Sequence, residues 1–111
     1  MDNEFIEKWK SQVKKGTLAF IVLNLLKHKE MYGYEIIEHV SKTISINIAE
    51  GTLYPLLNKL KAEGLVISKW VDQTSGIPRK YYSLTDQGKA TLTEMTVSWD
   101  QLTDSIKNLL K

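Results

Sequence analysis

The sequence lacks cysteine and has little proline or glycine: its 111 residues include no cysteine, two prolines and six glycines. Without cysteine there are no disulfide bridges and no thiolate metal ligands, as is usual in the reducing cytoplasm. The apolar stretch at residues 18–26 is interrupted by Asn24 and is too short to span a bilayer. The N-terminus lacks the apolar segment of a secretory signal. We therefore expect a soluble cytoplasmic protein without a membrane partner.

The residue patterns of an active site are also missing. There is no nucleophile–base pair, carboxylate dyad, phosphate-binding glycine loop or cluster of metal ligands. The two histidines, His28 and His39, have no partner at ligand spacing, so we expect both at the surface. We predict a protein that is not an enzyme and needs neither a cofactor nor a metal ion.

The positive charge of the chain is small but unevenly distributed. Hydrophobic content of 42% and charged content of 25% are ordinary for one globular domain, and a net charge of +2 is weak evidence for a nucleic-acid partner. Residues 58–80, however, contain five basic residues and only two acidic ones. This local excess indicates a surface suited to nucleic acid.

The same region has the pattern of a helix followed by a β-hairpin. A leucine stripe predicts a helix that ends at Gly64, and strands at residues 65–71 and 79–84 flank a turn at 73–78. The stripe consists of Leu53, Leu56, Leu57 and Leu60. A helix followed by a basic hairpin is typical of a winged helix, in which the helix enters a DNA groove and the hairpin contacts the flanking backbone.

The N-terminal half is predicted to be helical with one break. We expect helices on both sides of Gly16-Thr17, with Thr17 as a possible cap, then a turn at residues 31–33 and a helix at 34–43. Residues 44–48 are β-branched and are expected to form an extended connector or a short strand.

Proline at position 55 affects where the third helix is expected to begin. This helix is predicted from about Ala49, with its regular part beginning near Thr52, so that Pro55 lies in the first turn, where proline is tolerated. The predicted fold class is α+β and mostly helical: a winged helix-turn-helix with an extra N-terminal helical segment and a C-terminal helix.

The last helix, capped by Thr85-Asp86, has a heptad pattern. Its apolar residues are spaced three, four, three, four and three apart: Leu92, Met95, Trp99, Leu102, Ile106 and Leu109. The stripe either packs against its own domain or forms a dimer interface. Because the terminal helices have more apolar surface than one copy can bury, we predict a homodimer. Residues 1–84 would form the DNA-binding domain and 85–111 the dimerisation helix, together one compact unit.

Four motifs carry a family resemblance over most of the chain. The stretches GTLAFIVLNLL, YGYEI, GTLYPLLNKLKAEGLV and GIPRKYYSLTDQG resemble the PadR family of bacterial transcriptional regulators. The single C-terminal helix is similar to that of the small LmrR-like, multidrug-sensing subgroup. The resemblance implies a repressor that is dimeric through its first and last helices and binds double-stranded DNA at an inverted-repeat operator.

Six residues are candidate DNA contacts. Four of them lie off the leucine stripe of the third helix and two follow the hairpin turn: Thr52, Tyr54, Asn58, Lys59, Arg79 and Lys80. Asn58 is suited to adenine and Lys59 to guanine or phosphate, whereas the hydroxyl and wing side chains are suited to phosphate. A solvated helix face and an ordinary charged hairpin would carry similar residues.

Trp99 is the candidate ligand-binding residue. The LmrR-like resemblance implies that two copies of this tryptophan face each other across the dimer and stack a planar aromatic ligand between them. Val13, Phe20 and Thr96 are the expected walls; alternatively, Trp99 only fills the interface. The function expected from these patterns is a sequence-specific repressor released by a small aromatic or hydrophobic ligand. The alternative is a winged-helix module that binds protein or RNA without an effector.

Overall fold

The computed structural model describes residues 3–74 and 76–111. This part of the chain forms a mostly helical α+β fold of four helices and a three-stranded antiparallel sheet. In chain order the elements are α1 (Glu4–His28), β1 (Met31–Tyr32), α2 (Gly33–Ile44), α3 (Glu50–Ala62), β2 (Val66–Val71), β3 (Arg79–Leu84) and α4 (Asp86–Leu109). The predicted winged-helix fold is confirmed.

Helix α1 is continuous, so the predicted break at Gly16-Thr17 is wrong. Thr17 lies inside the helix, where its hydroxyl donates to the carbonyl oxygen of Val13 at 2.7 Å instead of capping a new helix. One glycine weakens a helix interior by only about 1 kcal/mol. The second half of α1 is held by core packing, because its apolar residues Leu18, Val22, Leu23 and Leu26 are buried.

A short strand replaces the turn expected at residues 31–33. Met31 and Tyr32 pair with Tyr82 and Tyr81 of β3, so the sheet order is β1-β3-β2. Met31 is buried by this pairing. A strand of two residues has no periodicity that a sequence can show, which is why it was not predicted.

Helix α3 begins at Glu50, which confirms the predicted start near Ala49, but its regular part begins earlier than the expected Thr52. The N–H groups of Thr52 and Leu53 both donate to the carbonyl oxygen of Ala49 at 3.0 Å, so the first turn begins at Glu50 and not near Thr52. Pro55 therefore lies beyond the first turn, and the carbonyl of Gly51 loses its usual intrahelical donor. The helix persists because its inner face is fully packed, with Leu53, Leu57 and Leu60 buried.

The end of α3 is joined to the start of α4. Gly64 has a φ of +78°, and the N–H of Leu65 donates to the carbonyl of Leu60 at 3.0 Å, which together form a Schellman ending. Thr85 accepts a hydrogen bond from the N–H of Gly88 at 2.9 Å and donates its own hydroxyl to the carbonyl of Gly64 at 2.6 Å. The predicted roles of Gly64 and Thr85 are both confirmed.

One hydrophobic core lies behind α3. Side chains from α1, α2, α3, the sheet and the first turns of α4 form a single buried cluster, which includes Val22, Ile36, Leu53, Tyr82 and Leu92. Residues 45–49 form a connector without a strand, and Ile48 within it is buried. No helix in the described part of the chain is long and apolar enough to cross a membrane. The outer face of α3 and the far end of the β2–β3 hairpin, here called the wing, are left at the surface.

Candidate nucleic-acid interface and apolar groove

The outer face of α3 carries the predicted contact residues. Thr52, Tyr54, Asn58 and Lys59 are all exposed, opposite the buried leucines. This agrees with the predicted orientation; their contacts with DNA stay predictions. Lys59 has no carboxylate partner within the residues that the structure describes.

Tyr54 does not simply point to solvent, because it packs against the start of α2. A Cβ atom added at Gly33 would lie 2.2 Å from the Tyr54 hydroxyl oxygen, so only glycine allows this contact. Next to it, Tyr34 donates a hydrogen bond to Glu50, and this bond and the charge of Glu50 raise the pKa of Tyr34. Burial, followed by the charge of Glu50, raises the pKa of Tyr54. Both hydroxyls therefore stay protonated near neutral pH. The Tyr34 hydroxyl already donates to Glu50, whereas the Tyr54 hydroxyl can donate to a phosphate.

The two faces of the wing carry different groups. On the inner face Tyr82 is buried, and the cross-strand pair Trp70 and Lys80 lies beyond it, with the Lys80 Nζ 5.7 Å from the Trp70 ring centroid. On the other face the Arg79 guanidinium lies 4.4 Å from the ring centroid of Tyr32. Tyr32 itself packs edge-on against Tyr81, with 5.3 Å between ring centroids.

A groove separates the wing from α3, and we call it the wing groove. Its volume is about 770 Å³, and its lining is Tyr32, Gly33, Tyr34, Tyr54, Asn58, Trp70, Ile77, Pro78, Arg79, Lys80 and Tyr82. The lining includes two basic residues and no carboxylate. Four of the six predicted DNA contacts lie here, and Thr52 and Lys59 lie outside it.

Two of the clustered basic residues are engaged within the chain. Lys69 pairs with Glu30 at 3.4 Å, and Lys61 donates to the hydroxyl of Ser68 at 2.9 Å. Lys80 and Arg79 have no carboxylate partner in the described ranges. Among the basic residues of positions 58–80, those without an ionic or hydrogen-bonded side-chain partner in the described ranges are therefore Lys59 on α3 and Arg79 and Lys80 on the wing.

A second groove runs between α1 and α4, and we call it the terminal-helix groove. It has a volume of about 880 Å³, and its apolar lining includes Trp9, Val13, Phe20, Met95, Trp99, Leu102 and Ile106. The rings of Phe20 and Trp99 lie 5.7 Å apart between centroids. Trp99 is 39% exposed and Trp9 is 54% exposed, so one copy of the chain leaves both indoles accessible.

The structure corrects two expectations for the terminal helices. Thr96 is not a wall of the terminal-helix groove: the side chain donates to the carbonyl of Leu92 and lines a separate cleft beside Lys27 and Lys89. Leu92 is 3% exposed, so it belongs to the core and has almost no surface to offer a partner chain. The acidic residue in the lining of the groove is Glu94.

Residues that sequence reasoning missed lie mainly in the wing groove. Trp70 is 68% exposed and Ile77 is 84% exposed, although the alternating strand pattern gave no reason to prefer either as a contact. A signal was present in the pairing of Trp70 with Lys80, but the register that makes them neighbours depends on the length of the turn.

Comparisons with known proteins agree with this arrangement. Residues 22–94 match the transcriptional regulator PadR-like family. The fold is similar to that of a PadR family transcriptional regulator from Eggerthella lenta, with a TM-score of 0.88 and 34% identity over 98% of this chain and 95% of the other. A PadR-like transcriptional regulator from Bacillus cereus is also similar, with a TM-score of 0.80 and 34% identity. The match covers 90% of this chain and 97% of the B. cereus chain.

One sequence relative is considerably longer than this chain. The negative transcriptional regulator PadR of Bacillus subtilis is 27% identical over 93 residues, which is 82% of this chain and 51% of that protein. The chain thus spans about half the length of that relative.

Proposed function

The chain belongs to the PadR-like family of transcriptional regulators, whose members are regulators and not enzymes, and from that premise we propose that it is a dimeric repressor of transcription. The observation that carries the proposal is the position of α3 and the wing on either side of one groove that has two basic residues and no carboxylate in its lining. The described part of the chain thus presents a helix and a hairpin that can both contact the same DNA duplex.

The chemistry of α3 is suited to the major groove of DNA. Asn58 can accept from and donate to adenine, and Lys59 can donate to guanine or to a phosphate. The hydroxyls of Thr52 and Tyr54 can donate to phosphates and so set the register of the helix. With 13 residues, α3 is short enough to lie within one groove.

The proposed dimer is supported by the apolar surface that one chain exposes. Monomeric proteins rarely expose contiguous apolar patches of more than a few hundred Å². Here Trp9, Leu102 and Ile106 line one groove between α1 and α4 and are 54%, 54% and 45% exposed, and Phe5 at the start of α1 is 76% exposed. A second copy with the same surface would cover it in a two-fold symmetric contact. Each chain supplies one α3, so a dimer would contact two half-sites about one helical turn, ~34–36 Å, apart.

We further propose that a planar aromatic cation enters the terminal-helix groove and weakens DNA binding. Phe20 and Trp99 offer ring faces, Val13 offers an apolar wall and Glu94 offers a negative charge. A ligand held there contacts α1 and α4, and can change the angle between the two copies of α3. The ligand lowers the affinity for DNA only to the extent that it binds the misaligned dimer more tightly than the aligned one. The resemblance to the LmrR-like subgroup implies such a ligand site, and the B. subtilis relative is a negative transcriptional regulator.

Enrichment of duplexes from a random-sequence library tests the proposed function. We expect the wild-type protein to enrich an inverted repeat, and to bind it as two chains in sedimentation experiments. The affinity should fall steeply with salt, because each neutralised phosphate releases a counterion. A monomer at micromolar concentration, or affinity that does not respond to salt, would contradict the proposal and favour a protein-binding module.

A further inference from the structure

We propose that the wing groove holds one sugar–phosphate strand of DNA, with the Trp70 indole packed on a deoxyribose and the Lys80 ammonium beside an adjacent phosphate. This inference rests on the proposed function and adds to it a contact residue, Trp70, whose contribution does not depend on charge. It also predicts which strand the protein follows: the strand that passes between α3 and the wing.

The position of Trp70 follows from the register of the hairpin. Cross-strand partners lie on the same face of an antiparallel pair. The inner face carries Val66 opposite Leu84, Ser68 opposite Tyr82 and Trp70 opposite Lys80. Val66 is 1% exposed and Tyr82 is 2% exposed, but Trp70, one step further along this face, is 68% exposed. The core therefore ends at Tyr82, and the Trp70–Lys80 pair extends beyond it.

An exposed indole at this position needs a partner that the chain itself does not provide. Trp70 lines the wing groove together with Tyr54 and Asn58 of α3. Its only ring contact in the described residues is with the Lys80 ammonium, at 5.7 Å from the ring centroid. The apolar surface is thus kept next to a positive charge and not covered by other apolar groups.

A DNA strand matches this pairing of groups. Its backbone alternates anionic phosphates with the apolar faces of sugars, so an ammonium and an indole side by side fit two successive groups. The lining of the wing groove has two basic residues and no carboxylate, and the neighbouring Glu50 carboxylate accepts the hydroxyl of Tyr34, so the lining itself has a net positive charge that attracts phosphates. A helix in the major groove and a hairpin at the adjacent minor groove flank the same strand, which would then run along the wing groove.

Substitution of Trp70 separates this contact from an ionic one. The binding of each variant is measured over a range of salt concentrations, with an operator duplex enriched by the wild type and an unselected duplex of equal length. We expect Trp70→Ala to weaken binding to both duplexes by about tenfold, within the range for loss of an aromatic contact to nucleic acid, and to leave the salt slope unchanged. Trp70→Phe should stay within about threefold of the wild type, because it keeps an aromatic face.

Two further variants complete the experiment. Lys80→Ala should lower the salt slope by about one, because it removes a phosphate contact. Ile67→Ala is the matched control, since Ile67 lies on the same strand as Trp70 but on the other face and is 56% exposed. We expect Ile67→Ala to bind both duplexes as the wild type does and to melt at a temperature similar to that of Trp70→Ala.

Several outcomes would overturn the inference. Wild-type affinity in Trp70→Ala would show that the indole does not contact DNA. A loss confined to the operator duplex would mean that Trp70 reads a base and not the backbone. An equal loss in Ile67→Ala would point to a general weakening of the hairpin. Failure of the wild type to bind either duplex would overturn the proposed function, and this inference with it.

Discussion

The exposed residues at the wing groove differ in the information that they can take from DNA. Asn58 offers an amide, which can recognise the edge of one base, whereas Lys80 offers a point charge, which is attracted to any phosphate. Both lie on the lining of the same groove and neither is buried in the core. In the proposed complex with DNA, the difference between specific and non-specific binding would therefore depend on single side chains.

Substitution of these two residues should therefore have different effects. We expect Asn58→Ala to reduce the difference in binding free energy between operator and unselected DNA by roughly 1–3 kcal/mol. The dependence of its affinity on salt concentration should not change. Lys80→Ala should weaken binding to both duplexes and flatten the slope by about one. Fluorescence anisotropy of labelled duplexes measures both quantities.

His39→Ala serves as a control, because the side chain is exposed on α2 and lies outside the wing groove. If Asn58→Ala and Lys80→Ala each lose affinity for operator and unselected DNA by the same factor, the two residues do not have these separate roles in base recognition and phosphate binding.

Hydrogen bonds of Thr85 join the end of α3 to the start of α4. Thr85 bonds to both sides of this junction, to the carbonyl of Gly64 and to the N–H of Gly88. The N–H of Thr85 also donates to the carbonyl of Leu65 at 3.1 Å. This junction relates the direction of α4 to that of α3, so a change in the terminal-helix groove has a physical route to the DNA-binding face.

Gly88 is the residue that allows this junction to close. A Cβ atom there would lie 2.1 Å from the carbonyl oxygen of Leu65, which is backbone and cannot rotate away. We expect Gly88→Ala to lower the free energy of unfolding by about 1–3 kcal/mol, as overpacking of a well-packed site does. Urea denaturation followed by circular dichroism measures the change.

Gly51→Ala is the matched control for Gly88→Ala. Gly51 is also in a helix, but a Cβ atom there would meet nothing within 4 Å. This substitution should stabilise the protein by up to about 1 kcal/mol, because alanine favours helices more than glycine does. Equal destabilisation by both substitutions would contradict the steric explanation.

In the molecule as a whole, α1 and α4 expose an apolar surface that a single chain does not bury. The first half of α1 and the second half of α4 lie outside the core, and their large apolar side chains remain partly exposed. Residues far apart in the sequence, such as Trp9 and Ile106, line the same groove there. The proposed dimer and the proposed ligand would use this surface together.

Ethidium tests the terminal-helix groove as a ligand site. Its two ring contacts with a pair of Trp99 side chains would each contribute on the order of 0.5–2 kcal/mol. We expect the wild type to bind ethidium at micromolar concentration, and Trp99→Ala to bind it at least about tenfold more weakly while it remains a dimer. Fluorescence polarisation of the dye measures binding, and sedimentation measures the oligomeric state.

Trp70→Phe is the control for this titration, because Trp70 lines the wing groove and not the terminal-helix groove. It should bind ethidium as the wild type does. Equal binding by Trp99→Ala and the wild type would mean that Trp99 serves only to fill the interface.

The sequence alone was sufficient to predict the local structure wherever a residue acts on its immediate neighbours. The leucine stripe of α3, the Gly64 helix ending, the Thr85 cap and the bounds of β3 are all confirmed. Alternate residues of a strand face opposite sides, which is why Tyr82 is buried whereas the adjacent Tyr81 is only half-buried. These features depend on backbone preferences and on apolar spacing, which are properties of short segments.

Tertiary structure decided what depends on contacts between distant segments. Packing against the core keeps α1 continuous through Gly16, and pairing with β3 turns Met31 and Tyr32 into a strand. Contacts between α1 and α4 determine that Glu94 lines the terminal-helix groove while Thr96 does not. Likewise, the register of the wing places Trp70 beside Lys80. Each of these outcomes requires contacts between residues that are distant in the chain. Such contacts are stabilised by the burial of apolar surface, which cannot be predicted from the pattern of a short segment.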